Sequence, residues 1–158
     1  MRIGITGHQT RDRIDWSWVK NTIRAELSKI VGIEQCLSSL AAGSDQVFTE
    51  VALELGIPVL AVIPIQGYER YFRGNALAKY RRLLRQCKVT QLNWYGDDER
   101  AFFEAGKNIV EKSDMMFAVW DGKKSEGQGG TGDVVVFAQK SAKPIVHINP
   151  IDRSIQRA

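Results

Sequence analysis

Cysteine is scarce in this chain of 158 residues: Cys36 and Cys87 are the only two, and each sits in or beside an apolar run. They make no disulfide framework and read as reduced interior thiols. Histidine is equally rare. His8 and His147 are the whole set and no Cys-x-x-Cys pair occurs, so no metal site is expected, and nothing calls for a bound cofactor. The absence of any run of about 18 apolar residues argues against a helical membrane span. The start, Met1-Arg2-Ile3-Gly4-Ile5, enters a strand pattern at once and lacks the h-region of a signal peptide, so a cytoplasmic location is the expectation. Internal repeats, low-complexity stretches and linkers are missing too. The length suits one domain, assigned to residues 1–150, with 151–158 as a polar, loose tail.

What the chain does have is a regular alternation of apolar runs and amphipathic stretches. Strands are expected at Ile3–Thr6, Gln35–Ser38, Pro58–Ile63, Val89–Leu92, Met115–Trp120 and Pro144–Ile148. Between them, helical spacing recurs, as in Trp16, Val19, Ile23, Leu27 and Ile30, with Asp15 placed to cap that helix. Further helices are expected over 45–55 and 76–86, then from a cap at Asp97 or Asp98 through Phe102, Phe103, Ile109 and Val110, and over roughly 130–141. Strands that read as unbroken apolar runs are buried on both faces. The fold class that follows is α/β: a Rossmann-like, doubly wound, mostly parallel sheet flanked by helices.

In such sheets ligands bind beyond the carboxyl ends of the strands. Three loops at those ends have unusual composition. The first is Thr6-Gly7-His8-Gln9-Thr10-Arg11, in which Gly7 gives access to the strand end and His8, Gln9 and Arg11 supply donors. His8 reads equally well as a surface histidine. The second is Ser38-Ser39-Leu40-Ala41-Ala42-Gly43-Ser44-Asp45, where Gly43 opens a helix. There Asp45 either complements the helix dipole or addresses a ribose hydroxyl. The third, Gly127-Gln128-Gly129-Gly130-Thr131-Gly132-Asp133, follows Asp121-Gly122 and opens the next helix. Bare N–H groups at a helix start form an anion site, so Gly129, Gly130, Thr131 and Gly132 are the expected phosphate contacts. Asp133 reads as a cap.

Charge is uneven. Between Gln66 and Lys88 stand seven cations (Arg70, Arg73, Lys79, Arg81, Arg82, Arg85 and Lys88) against one acid, Glu69, more than the whole net charge of +4. Arg81, Arg82 and Arg85 fit a solvated helix face. Arg70 and Arg73, in a loop after a strand, fit an anion-attracting wall better. Tyr68, Tyr71, Phe72 and Tyr80 are interleaved there. They either stack nucleic-acid bases or pack the loop onto the sheet.

The second loop resembles the S-G-L-A-x-G-x-D signature of the DprA (Smf) family, keeping Ser38, Leu40, Ala41, Gly43 and Asp45 and departing at Ser39. Gly129-Gly130-Thr131-Gly132-Asp133 resembles the G-G-x-G-T-x-x-E signature of the LOG (Lonely Guy) phosphoribohydrolases. Together they point to the SLOG superfamily of Rossmann-like proteins and its stand-alone bacterial members, with the likeness covering residues 2–149. The resemblance implies binding of a nucleotide-like phosphorylated small molecule through Gly7, His8, Gln9, Arg11, Ser38, Ser39, Leu40, Ala41, Gly43, Asp45, Arg70, Arg73 and residues 129–132. It aligns Val136 with the LOG catalytic glutamate, and a valine cannot activate water or stabilise an oxocarbenium ion. Hydrolysis would then need Asp133 or Asp121.

The leading expectation is a nucleotide-binding module. The alternatives are a LOG-type nucleoside 5′-monophosphate N-glycosidase and, less favoured, single-stranded nucleic-acid binding of the DprA kind. A homo-oligomer is expected, with Trp16 or Trp18 as exposed contacts. The base, the number of phosphates and the pathway stay open.

Overall fold

A computed structural model describes residues 1–94, 96–125 and 130–158. Among these, seven strands form one sheet in the order β4-β3-β2-β1-β5-β6-β7. The strands are β1 Arg2–Gly7, β2 Gln35–Ser38, β3 Val59–Ile63, β4 Lys88–Gln91, β5 Met115–Val119, β6 Ile145–Asn149 and β7 Ser154–Arg157. All neighbours pair in parallel except β6 and β7. The helices are α1 Trp16–Ser28, α2 Ser44–Glu54, α3 Asn75–Leu84, α4 Asp98–Lys112 and α5 Thr131–Lys140. None of them is long and apolar enough to cross a membrane.

Alternate strand residues feed two cores, as the pleat requires. Ile3, Ile5, Phe117, Val119 and Ile148 pack with α1 and α2 through Val19, Ile23, Phe48 and Val51. Leu37, Val62, Met116 and Ala118 meet α4 and α5 through Ile109, Val110, Val134 and Ala138. Gly4 faces α4, where a Cβ would lie 2.5 Å from Ile109 Cγ2, so the helix rests directly on the central strand. Leu40, Ile63, Tyr68, Tyr80 and Leu83 form a third cluster under α3.

The cap expected at Asp15 is present, and of the neighbouring pair Asp97 and Asp98 it is Asp97 that caps α4. Asp15 accepts the Trp18 N–H at 3.1 Å, and Asp97 accepts the Glu99 N–H at 3.0 Å. The expectation of a loose tail is corrected. Ser154–Arg157 adds to the sheet as an antiparallel edge strand, with Ile148 opposite Ile155. Asn149 supports the turn into it by accepting the N–H groups of Ile151 and Asp152.

The chain runs outward from β1 to β4, then crosses to β5 on the other side of β1. The direction of winding therefore reverses between β1 and β5. These two strands end level, Gly7 opposite Val119.

Candidate functional site

A cavity of about 560 Å³ opens at that reversal point, beyond the carboxyl ends of β1, β2, β3 and β5. All three loops singled out in the sequence contribute. Gly7, His8, Gln9 and Arg11 line it after β1; Ser39, Ala41 and Asp45 after β2; Asp121, Gly130, Thr131 and Gly132 after β5. Gly129 falls outside the described residues.

The loops after β1 and β2 are locked together through main-chain atoms. The His8 carbonyl accepts the Ser44 N–H at 3.1 Å and the Ser44 hydroxyl at 2.6 Å. Gly43 has φ +88°, and a Cβ there would stand 2.8 Å from the Gln9 carbonyl carbon and the Thr10 nitrogen. A Cβ on Gly7 would meet Ser44 at 2.6 Å. Both glycines thus make room for protein rather than for a ligand. Ser38, Leu40 and Gly43 are not among the lining residues. The Ser38 hydroxyl accepts the Leu40 N–H and donates to the Asp45 carbonyl, and Leu40 is buried at φ +59°. At the start of α2, the N–H groups of Ser44 and Gln46 go to His8 and Ala41 carbonyls.

His8 is buried, not a surface histidine. Its Nε2 accepts the Asp121 N–H at 3.0 Å, so the neutral ring carries its proton on Nδ1. Burial holds His8 below the ordinary imidazole range and Arg11 adds to this, against the opposing pull of Asp121. For Asp121, burial favours the neutral acid. The Lys123 N–H and Arg11 (3.3 Å away) outweigh it and hold the carboxyl below its usual value. Asp45 behaves in the opposite way. Burial pushes its carboxyl up to about 7 despite N–H bonds from Ala41 and Ser39. Tyr68 lines the same wall, and burial together with the Asp45 charge raises its phenol.

At the α5 end, the segment 123–125 lies across the helix start. A Cβ on Gly132 would come within 2.9 Å of the Ser125 nitrogen, and one on Gly130 within 2.8 Å of Ser125 Oγ. Ser125 Oγ accepts the Asp133 N–H at 3.0 Å. Among the described residues the Thr131 and Gly132 N–H groups meet no acceptor, and both residues line the cavity. Asp133 does not line the cavity. Val136, aligned with the LOG glutamate, is 43 % exposed on α5, whereas Val134 faces inward.

Arg70 and Arg73 are not brought to the cavity. Arg70 folds back onto its own loop carbonyls and pairs with Asp98 at 3.1 Å, and Arg73 is exposed outside the lining. Arg81 pairs with Glu69, while Lys79 and Arg82 pair with Glu50. The basic groups at the mouth are Arg11, Lys123 and Lys124. The two lysines were overlooked in the sequence, although they stand between the end of β5 and the glycine cluster. The aromatic residues pack the loop onto the sheet. Tyr68 contacts Phe72 and Tyr80 edge-on at 5.0 and 5.6 Å, and only Tyr71 of the four is exposed. Trp16 and Trp18 are half-buried against the α1 core instead of exposed.

No family model and no curated protein matches the chain. Solved structures do. DNA processing protein A (DprA) from Streptococcus pneumoniae superposes with a TM-score of 0.67 at 14 % identity, over 94 % of this chain and 50 % of that one. The Moco carrier protein from Chlamydomonas reinhardtii matches with a TM-score of 0.58 at 20 % identity, over 92 % of this chain and 74 % of that one. TM1055, a structural-genomics target, gives 0.55 at 13 % identity, over 91 % and 71 %. The chain spans half the length of the DprA structure. What the chain shares with them is a Rossmann-like α/β fold.

Proposed function

We propose that this chain binds a nucleotide or nucleotide-derived small molecule and holds it without consuming it. The observation that carries this reading is the cavity at the β1–β5 reversal, with Lys123, Lys124 and the first residues of α5 at one end. Arg11, Lys123 and Lys124, with the amides of Thr131 and Gly132, suit a phosphate. The rest of the lining combines the acids Asp45, Glu99 and Asp121 with apolar and aromatic side chains such as Tyr68, Phe72 and Phe102, which suit a sugar and a base. Holding rather than hydrolysis is favoured because the Asp121 carboxylate is already engaged by the Lys123 N–H and Arg11. A similar fold belongs to a protein named as a carrier of a molybdenum cofactor, which fits a binding role.

The test is a thermal-shift and calorimetry panel of nucleotides, with the products analysed for free base. At a ligand concentration of about 100 times Kd, a stabilisation of about 2.7 kcal/mol is expected, with the ligand recovered intact. The Lys123→Ala/Lys124→Ala double variant should weaken binding about tenfold or more. No shift with any nucleotide removes the reading, and release of free base turns it into the glycosidase alternative. Homo-oligomer formation is retained as part of the proposal, with the exposed Val136 of α5 as a contact. Sedimentation showing only monomer removes that part.

A further inference from the structure

We propose that the α2 end of the cavity selects guanine, the Asp45 carboxylate accepting the ring N1–H and the exocyclic amine together. This rests on the nucleotide reading above and adds the identity of the base. The cavity has two chemically different ends. Its lining runs from Pro64 and Tyr68 after β3, past Asp45 after β2, to Lys123 and Thr131 after β5. From Asp45 to the α5 end is two strand spacings, about 10 Å, the room needed to lay base, sugar and phosphate end to end. A phosphate at the α5 end leaves the base at Asp45.

Asp45 is 7 % exposed yet contributes to the cavity wall. Its Oδ2 accepts the Ala41 N–H at 3.3 Å, the Ser39 N–H also reaches the carboxyl, and no cation pairs with it among the described residues. A carboxylate has about four acceptor positions, so capacity for donors is left. Burial with few partners is costly, and a ligand bringing two donors relieves that cost. Guanine is the common base that presents two adjacent N–H donors on one edge. Adenine sets a ring lone pair beside its amine, and uracil flanks its single N–H with carbonyls. Each therefore turns an acceptor toward an acceptor. Tyr68 lines the same cavity beside this position.

Calorimetry of the full chain at pH 8 with GMP, IMP and AMP tests this. IMP differs from GMP only in lacking the amine. GMP is expected to bind about tenfold or more tighter than IMP or AMP, as sites built around a ligand N–H reject analogues without it. Asp45→Asn should erase that preference while leaving residual binding through the phosphate end. The wild-type comparison stands even if this variant does not fold. GMP and IMP within about twofold of each other overturn base selection but leave nucleotide binding intact. So does an Asp45→Asn variant that weakens all three equally, the mark of a ribose contact. If none of the three nor any other nucleotide binds, both readings fall.

Discussion

Gly43 is the residue on which the geometry of the site turns. Its φ of +88° and the 2.8 Å approach of the Gln9–Thr10 backbone leave no place for a Cβ. Gly43→Ala should cost about 1–3 kcal/mol, read as a lower urea midpoint with an unchanged m-value. Asp45 makes a pH prediction. Its carboxyl titrates near 7 in the folded chain and near the ordinary aspartate value when unfolded. Between those values the unfolded chain binds fewer protons, so this group's contribution falls as pH rises from about 4 to 7. His8, held low by burial, contributes in the opposite sense, losing stability as pH falls below about 6.5. The stability difference between wild type and Asp45→Asn isolates the aspartate. That difference should shift in the variant's favour from pH 4 to 7 and then level off; a flat difference refutes it. The sequence marked both residues, because a glycine and an acid at a helix start are local signals. It did not show that Gly43 admits a neighbouring loop rather than a ligand, since that contact joins residues far apart in the chain.

At the scale of elements, α1, α2 and α3 are tied by one carboxylate. Glu50 on α2 meets Lys20 of α1 at 2.5 Å and Lys79 and Arg82 of α3 at 3.1 and 3.2 Å. Burial favours its neutral form, but the bond to Lys20 and then those to Lys79 and Arg82 bring its pKa down to about 2. The stabilisation is complete above about pH 4.5 and is lost as pH falls toward 2. Glu50→Gln should cost about 1–2 kcal/mol at pH 7 and almost nothing at pH 2, measured by denaturant titration. The α4–α5 crossing gives a second test. A Cβ on Gly106 would sit 2.7 Å from Val134 Cγ2, so Gly106→Val should overpack the crossing and cost about 1–3 kcal/mol. Helices and buried strands were legible from periodicity. β7 was not, because Ser154-Ile155-Gln156-Arg157 is short and mostly exposed, and only pairing with β6 makes it a strand. The basic segment misled for a related reason. Three of its cations, Arg70, Lys79 and Arg82, are answered by Asp98 and Glu50, acids outside the segment itself.

For the whole molecule, the alternation of strand and helix identified a doubly wound sheet, and winding order then located the cavity. What the order of residues could not convey was which cations reach the mouth, a property of folded side chains. A ligand held by exposed Arg11, Lys123 and Lys124 should bind more weakly as salt rises, and titrations at low and high ionic strength should show that loss. The clasp between the first two loops has a further consequence, for descent. It is made of the His8 carbonyl, the Ser44 amide and hydroxyl, and the hydrogens of Gly7 and Gly43. A lineage is therefore free to exchange Gln9, Thr10 and Arg11 for other side chains and acquire new ligands. The same lineage has no such liberty at the two glycines, where any heavier residue pries the rim apart.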